Sequence, residues 1–154
     1  MPQVQTQTKT SNTSSSASQV SYVPIKNLDK VWFHVEPLLR KPLEIDGNAY
    51  TPKDILDGLL NKKMQLWIAW KDEKIQAAIV TEIVDYPQLR ACRWFLAGGT
   101  DIKDWIVPIQ ELVESWAQQN NVQRMEIVGR KGWGRWLKQY TNTHTVLMKE
   151  IQNE

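Results

Sequence analysis

The chain has 154 residues, a formal net charge of +2, two histidines and one cysteine, Cys92. This is room for one domain of ordinary size with a real core, and a near-neutral balance without a basic block makes nucleic acid an unlikely partner on charge grounds. One cysteine excludes an internal disulfide and a CxxC metal knuckle, and His34 and His144 have no metal-ligand spacing, so no metal is expected.

The first 20 residues, MPQVQTQTKTSNTSSSASQV, carry Lys9 as their only charged side chain. Such a segment buries too little apolar area to offset its ordering entropy. It is expected to be a disordered tail, or an arm that orders on a partner; residues 21–154 then form a single domain. No apolar run approaches the roughly 20 residues of a membrane span, and the N-terminus has no hydrophobic secretion segment. A soluble, intracellular protein is expected.

A strand candidate, SYVPIK, comes first. In NLDKVWFHVEPLLRK, the residues Leu28, Val31, Trp32, Val35, Leu38 and Leu39 recur at helical spacing, with Pro37 expected to shorten or bend the helix. A second helix start is written in YTPKDILDGLL, with Thr51 as N-cap, Pro52 in first position and Asp54 completing a capping-box pair. Three strands follow as a meander: MQLWIAW, then IQAAIVTEIVDY after the turn KDEK, then LRACRWFLA after Pro87-Gln88. The stripe Ile102, Trp105, Ile106, Ile109, Leu112, Val113 and Trp116 marks a long helix, although Pro108 removes one internal hydrogen bond. A buried strand RMEIVG, a short amphipathic helix GWGRWLKQY and a final strand HTVLMKEI complete the chain. Strands that alternate with helices in this way imply an α/β (α+β) domain, a mixed central sheet covered on both faces.

Between the third meander strand and the long helix lies Gly98-Gly99-Thr100-Asp101. A glycine pair at a strand-to-helix junction can cradle phosphate, because its amides are unshielded by side chains. The alternative is a self-capped loop: Asp101 and Asp104 fall in the cap and first turn, where they complement the helix dipole. A carboxylate about 5 Å from a phosphate charge costs roughly 3 kcal/mol at an effective dielectric near 20.

The order of elements resembles the GNAT family of acyl-CoA-dependent N-acetyltransferases over roughly residues 21–151. The resemblance is strongest in MQLWIAW, AAIVTEIVDYPQLRACRWFLAGG, EIVGRKGWGRWL and THTVLMKEI, and within the family it is to short GNAT-like proteins carried by bacteriophages. It implies that strand 90–97 splays from strand 124–129, that pantetheine lies in the gap, and that acetyl-CoA is the cofactor. The residues it implies for binding are Leu96, Ala97, Gly98, Gly99 and Thr100. This chain lacks the family's Arg/Gln at the start of the phosphate loop and its third glycine-like position. Two functions follow: an acetyl-CoA-dependent N-acetyltransferase, or a non-catalytic virion or assembly protein, in host cytoplasm or assembled virion, that docks on phage structural proteins through residues 1–22.

Acetyl transfer to an amine needs a base and an acid. The catalytic candidates are Glu82 and Glu126 as base and Tyr140 as acid. Each has a structural alternative. A two-residue Pro87-Gln88 turn puts Glu82 opposite Arg93 as a cross-strand ion pair, Glu126 faces out at a strand end, and Tyr140 is an amphipathic boundary residue. Cys92 reads as a small buried hydrophobe. Among eight tryptophans, Trp133 and Trp136 flank Arg135. This stretch is a candidate partner contact, for a protein surface or less plausibly for bases, or else the face of a short helix docked on the sheet.

Overall fold

A computed structural model describes residues 17–128 and 134–152, together with the backbone of 5–7. Six strands lie side by side in chain order: β1 (Gln5–Gln7), β2 (Gln19–Val23), β3 (Met64–Lys71), β4 (Lys74–Asp85), β5 (Arg90–Gly99) and β6 (Arg124–Ile127). Neighbours are antiparallel except β5 and β6, which are parallel. A parallel pair requires a crossover, and helix α3 (Ile102–Gln119) supplies it. Helices α1 (Leu28–Ile45) and α2 (Pro52–Leu60) lie between β2 and β3 in the chain.

Two hydrophobic cores follow from strand alternation. On one face, α1 and α2 bury Val35, Leu39, Leu43, Ile55 and Leu59 against Leu66, Ala78, Val80 and Leu96. On the other, Trp105, Ile109, Leu112 and Val113 of α3 pack on Trp67, Ile79, Cys92 and Trp94. Trp67 and Trp70, three residues apart, fall in different cores, as their odd spacing requires. Within the α3 core, Trp67 donates its indole N–H to Thr81 Oγ1 at 2.9 Å, and Trp116 stacks edge-on against Trp67 at 5.5 Å.

Local signals are honoured where the chemistry is local. Thr51 and Asp54 form a reciprocal capping box at the start of α2. The β4–β5 turn closes around Pro87-Gln88, with Tyr86 N donating to Leu89 O at 2.8 Å. In α1, by contrast, the chain stays helical through both Pro37 and Pro42 as far as Ile45. Proline at 42 removes the amide that would bond the Leu38 carbonyl. That carbonyl lies against Gly98 of β5, so close that a Cβ there would sit 2.0 Å from the oxygen.

Two expectations in the last third are corrected. Among residues 134–140 there is no amphipathic helix, only turns, one of them closed by Tyr140 N donating to Leu137 O at 3.0 Å. Glycine at 134 costs about 1 kcal/mol relative to alanine in a helix. Residues 144–151 do not form a strand either. The segment lies over the end of α1, where Val146 and Met148 line a cleft and Leu147 between them is 90% exposed. This is the alternation of an extended chain without the ladder. The strand expected at 124–129 is observed as Arg124–Ile127, and Gly129 lies outside the described residues.

Among the described residues, no helix is long and apolar enough to cross a membrane, and no group of three or more His, Cys, Asp or Glu side chains could hold a metal ion.

Candidate functional site

The β5–β6 ladder runs from Ala91 opposite Arg124 to Trp94 opposite Ile127, and there it stops. At that point β5 carries an extra residue: Val80 of β4 faces Leu96 and Thr81 faces Trp94, leaving Phe95 as a bulge. A bulge bends its strand and sharpens the local twist, so the rest of β5, Phe95–Gly99, continues with no partner on its β6 side among the described residues. Past the bulge a cleft of about 330 Å³ opens. Its floor is Trp94–Ala97, one wall is Pro42, Ile45 and Asp46 at the end of α1, and the other is Val128, Val146 and Met148.

Beside the cleft a row of charge crosses three strands. Glu82 of β4 faces Arg93 of β5, which faces Glu126 of β6. The Arg93 guanidinium lies 3.9 Å from Glu82 and 3.3 Å from Glu126, and donates to the Tyr86 hydroxyl at 2.9 Å. Tyr86 in turn donates to Glu126 at 2.9 Å, and Arg124 completes the set with a 2.8 Å bond to the same carboxylate. The two glutamates differ as a result. Burial pushes Glu82 above the ordinary carboxylate range; Arg93 pulls it down, and the negative charge of Asp46 pushes it up again. Burial also acts upward on Glu126, but the Arg124 and Tyr86 hydrogen bonds and the two arginine charges outweigh it and hold the carboxyl low.

The structure thus brings Glu82 and Glu126 together through Arg93 and leaves Tyr140 elsewhere. Tyr140 packs with the α3-side core, while Glu82 continues the Ala78–Val80 face towards α1. Its hydroxyl is buried without a hydrogen-bond partner among the described residues, and burial raises its pKa strongly. Burial likewise pushes the Cys92 thiol up to about 11, as befits a core residue.

The five proposed cofactor-loop residues divide. Leu96 and Ala97 border the cleft. Gly98 is pressed against the α1 backbone; Gly99, at φ +142°, lies so close to Gln76 O that a Cβ would be 2.2 Å away. The Thr100 amide already donates to Gln76 O at 3.0 Å. Asp101 occupies the N-cap position of α3 in a left-handed conformation, yet its side chain makes no cap bond; it accepts instead from Gln76 Nε2 at 3.4 Å. The self-capped loop is therefore built by backbone packing and not by an aspartate cap. Asp104 lies 3.8 Å from Lys71. Of the proposed contact residues, Arg135 is exposed, Trp136 packs against the α3-side core, and Trp133 lies outside the described residues.

Sequence reasoning missed three contributors: Tyr86, Asp46 and the Phe95 bulge. Tyr86 directly precedes a recognised turn, and Asp46-Gly47 is a helix-stop signal, so both positions were marked but not their direction. The bulge leaves no mark in composition or periodicity.

The arrangement, a meander whose third strand bulges away from a parallel fourth reached through a helix, also occurs in solved structures. A GNAT family acetyltransferase of Staphylococcus aureus superposes with a TM-score of 0.57 at 12% identity, covering 88% of this chain and 99% of that one. The chain has the GNAT fold. A predicted acetyltransferase of Clostridium acetobutylicum, solved with acetyl-CoA, gives a TM-score of 0.60 at 15% identity over 88% and 96% of the two chains. An aminoglycoside acetyltransferase from an uncultured soil metagenomic sample gives 0.64 at 12% identity over 88% and 97%. No family model and no curated protein matches the sequence.

Proposed function

We propose that this GNAT-fold chain is an acetyl-CoA-dependent N-acetyltransferase. The observation that carries the reading is the open cleft at the unpartnered β5 edge. A pantetheine arm is a chain of amides, and an unpaired strand edge offers amides and carbonyls to match it. Phe95, Leu96 and Ala97 would hold it, and the bound thioester would supply the activated acyl group.

Glu82 is the base in this reading. It is half-buried beside the cleft, and its raised pKa suits proton acceptance near neutrality better than an ordinary carboxylate would. Arg93 and Glu126 hold it in place and keep the row nearly neutral. Tyr140 is not given the acid's role, since its hydroxyl faces the α3-side core.

The phosphate end fits less well. The Thr100 amide is engaged, and Asp101 and Asp104 sit at the α3 N-terminus, so the pantetheine end would supply most of the affinity. Isothermal titration of the full chain with acetyl-CoA tests the reading: binding is expected, and its absence at millimolar cofactor would overturn it.

That same crowded loop favours a second reading, a non-catalytic assembly component of a phage particle docking through its N-terminal arm. Because β2 begins at Gln19 and Val20 is fully buried, the arm should be removed only as far as residue 16. Loss of co-purification with particles by a still-folded chain would support this reading, and unchanged incorporation would rule out the arm.

A further inference from the structure

The end of α1 that overhangs the cleft is electrostatically one-sided. A helix C-terminus carries roughly half a negative charge, which cations in the last turn normally offset. Here the last turn of α1 has no basic residue and contains Glu44, and the C-cap is Asp46. Asp46 is half-buried at the cleft wall and makes no ion pair among the described residues. Its charge reaches across the cleft to Glu82, whose carboxyl it helps to push up. Two negative features, the helix end and the carboxylate, thus converge where the protein places no cation of its own.

Around this point the cleft is apolar. Ile45, Val128, Val146 and Met148 are 41%, 53%, 65% and 72% exposed, and Phe95 lies on the floor. Exposed aliphatic side chains gathered around one carboxylate select a ligand with one charge and an apolar body. A polycation would leave its remaining charges against aliphatic walls, at a desolvation cost.

We propose that the α1 end of the cleft is an acceptor subsite for a primary monoamine on an apolar body, with Asp46 as its counter-ion. The chemistry that would follow rests on the acetyltransferase reading above, but the binding does not. Asp46 is here a specificity residue, and Glu82, next along the cleft, remains the proton acceptor.

The test is direct titration of the full chain with n-hexylamine, without acyl-CoA, against 1-hexanol and spermidine. Hexylamine should bind at least about tenfold more tightly than hexanol, the scale of a charge-assisted hydrogen bond, and spermidine no more tightly than hexylamine. Asp46→Asn should lose that tenfold while Asp46→Glu keeps part of it, and both variants should melt like the parent and bind acetyl-CoA as the parent does. Equal affinity for amine and alcohol, tighter binding of spermidine, undetectable hexylamine binding, or an Asp46→Asn variant that binds hexylamine like the parent would overturn the proposal. Amine binding without acetyl-CoA binding would leave the subsite standing and remove the enzyme reading; the reverse result would remove the subsite alone.

Discussion

Gly98→Ala separates two explanations of the glycine pair. The new Cβ would lie 2.0 Å from the Leu38 carbonyl oxygen and 2.8 Å from Pro42 Cγ. Neither is the far end of a flexible chain, so α1 must retreat from β5 by about 1 Å, and a gap of that size forfeits a quarter to a half of each van der Waals well. Val35, Leu39 and Leu43 are the α1 side chains buried at that face. With each burial worth roughly 2 kcal/mol, the expected loss is about 2–3 kcal/mol, or a drop in Tm of about 5–10 °C for a chain of this length. Urea unfolding of both proteins gives the number, with an unchanged m-value confirming that only stability has moved. A loss below about 0.5 kcal/mol, accompanied by weakened acetyl-CoA binding, would refute the packing argument and return Gly98 to the phosphate.

Three further substitutions probe the site and its frame. Glu126 has a lowered pKa, so its stabilisation is present above the unfolded-state carboxylate pKa and is lost as pH falls through the lower folded value; Glu126→Gln should flatten that acid limb in melting curves taken from pH 6 to about pH 3. Tyr140→Phe removes a hydroxyl buried without a partner and should leave stability unchanged or raise it by up to about 1 kcal/mol; a loss larger than that in chemical denaturation would mean the hydroxyl has a partner. In the β3–β4 hairpin, Asp72 and Glu73 both hold positive φ, the geometry that Asp-Gly satisfies best, so Glu73→Gly should stabilise by about 0.5–1 kcal/mol in the same assay.

What the sequence made legible was what local chemistry decides. Thr51 and Asp54 announced the α2 start, Pro87-Gln88 set the register that puts Glu82 opposite Arg93, and the Ile102–Trp116 stripe marked α3. Residues 144–151 misled because strand propensity records a side-chain preference and cannot supply a neighbouring edge. The helix expected at 133–140 failed for a related reason: Trp136 and Leu137 reach the core from a turn as well as from a helix. Of the site, the glutamates were legible as residue types, but their difference was not. Arg124 is two residues from Glu126 in the chain, whereas the Asp46 that opposes Glu82 lies on another element, 36 positions earlier.

The glycine pair and the cleft are joined by one structural cause. Pro42 frees the Leu38 carbonyl, and Gly98, having no side chain, lets that carbonyl rest on β5; together they bring the last turn of α1 down onto the sheet. The Phe95 bulge, three residues earlier on the same strand, turns β5 away from β6 beneath that turn. Neither feature alone makes a site: without the close helix the gap would be an open groove, and without the bulge α1 would cover a continuous sheet. Together they put Asp46 and the α1 terminus over an unpaired strand edge with Glu82 alongside. The glycines then matter to function through the helix they admit, and the acidic loop that follows them can depart from a phosphate cradle while the acceptor end of the cleft stays intact.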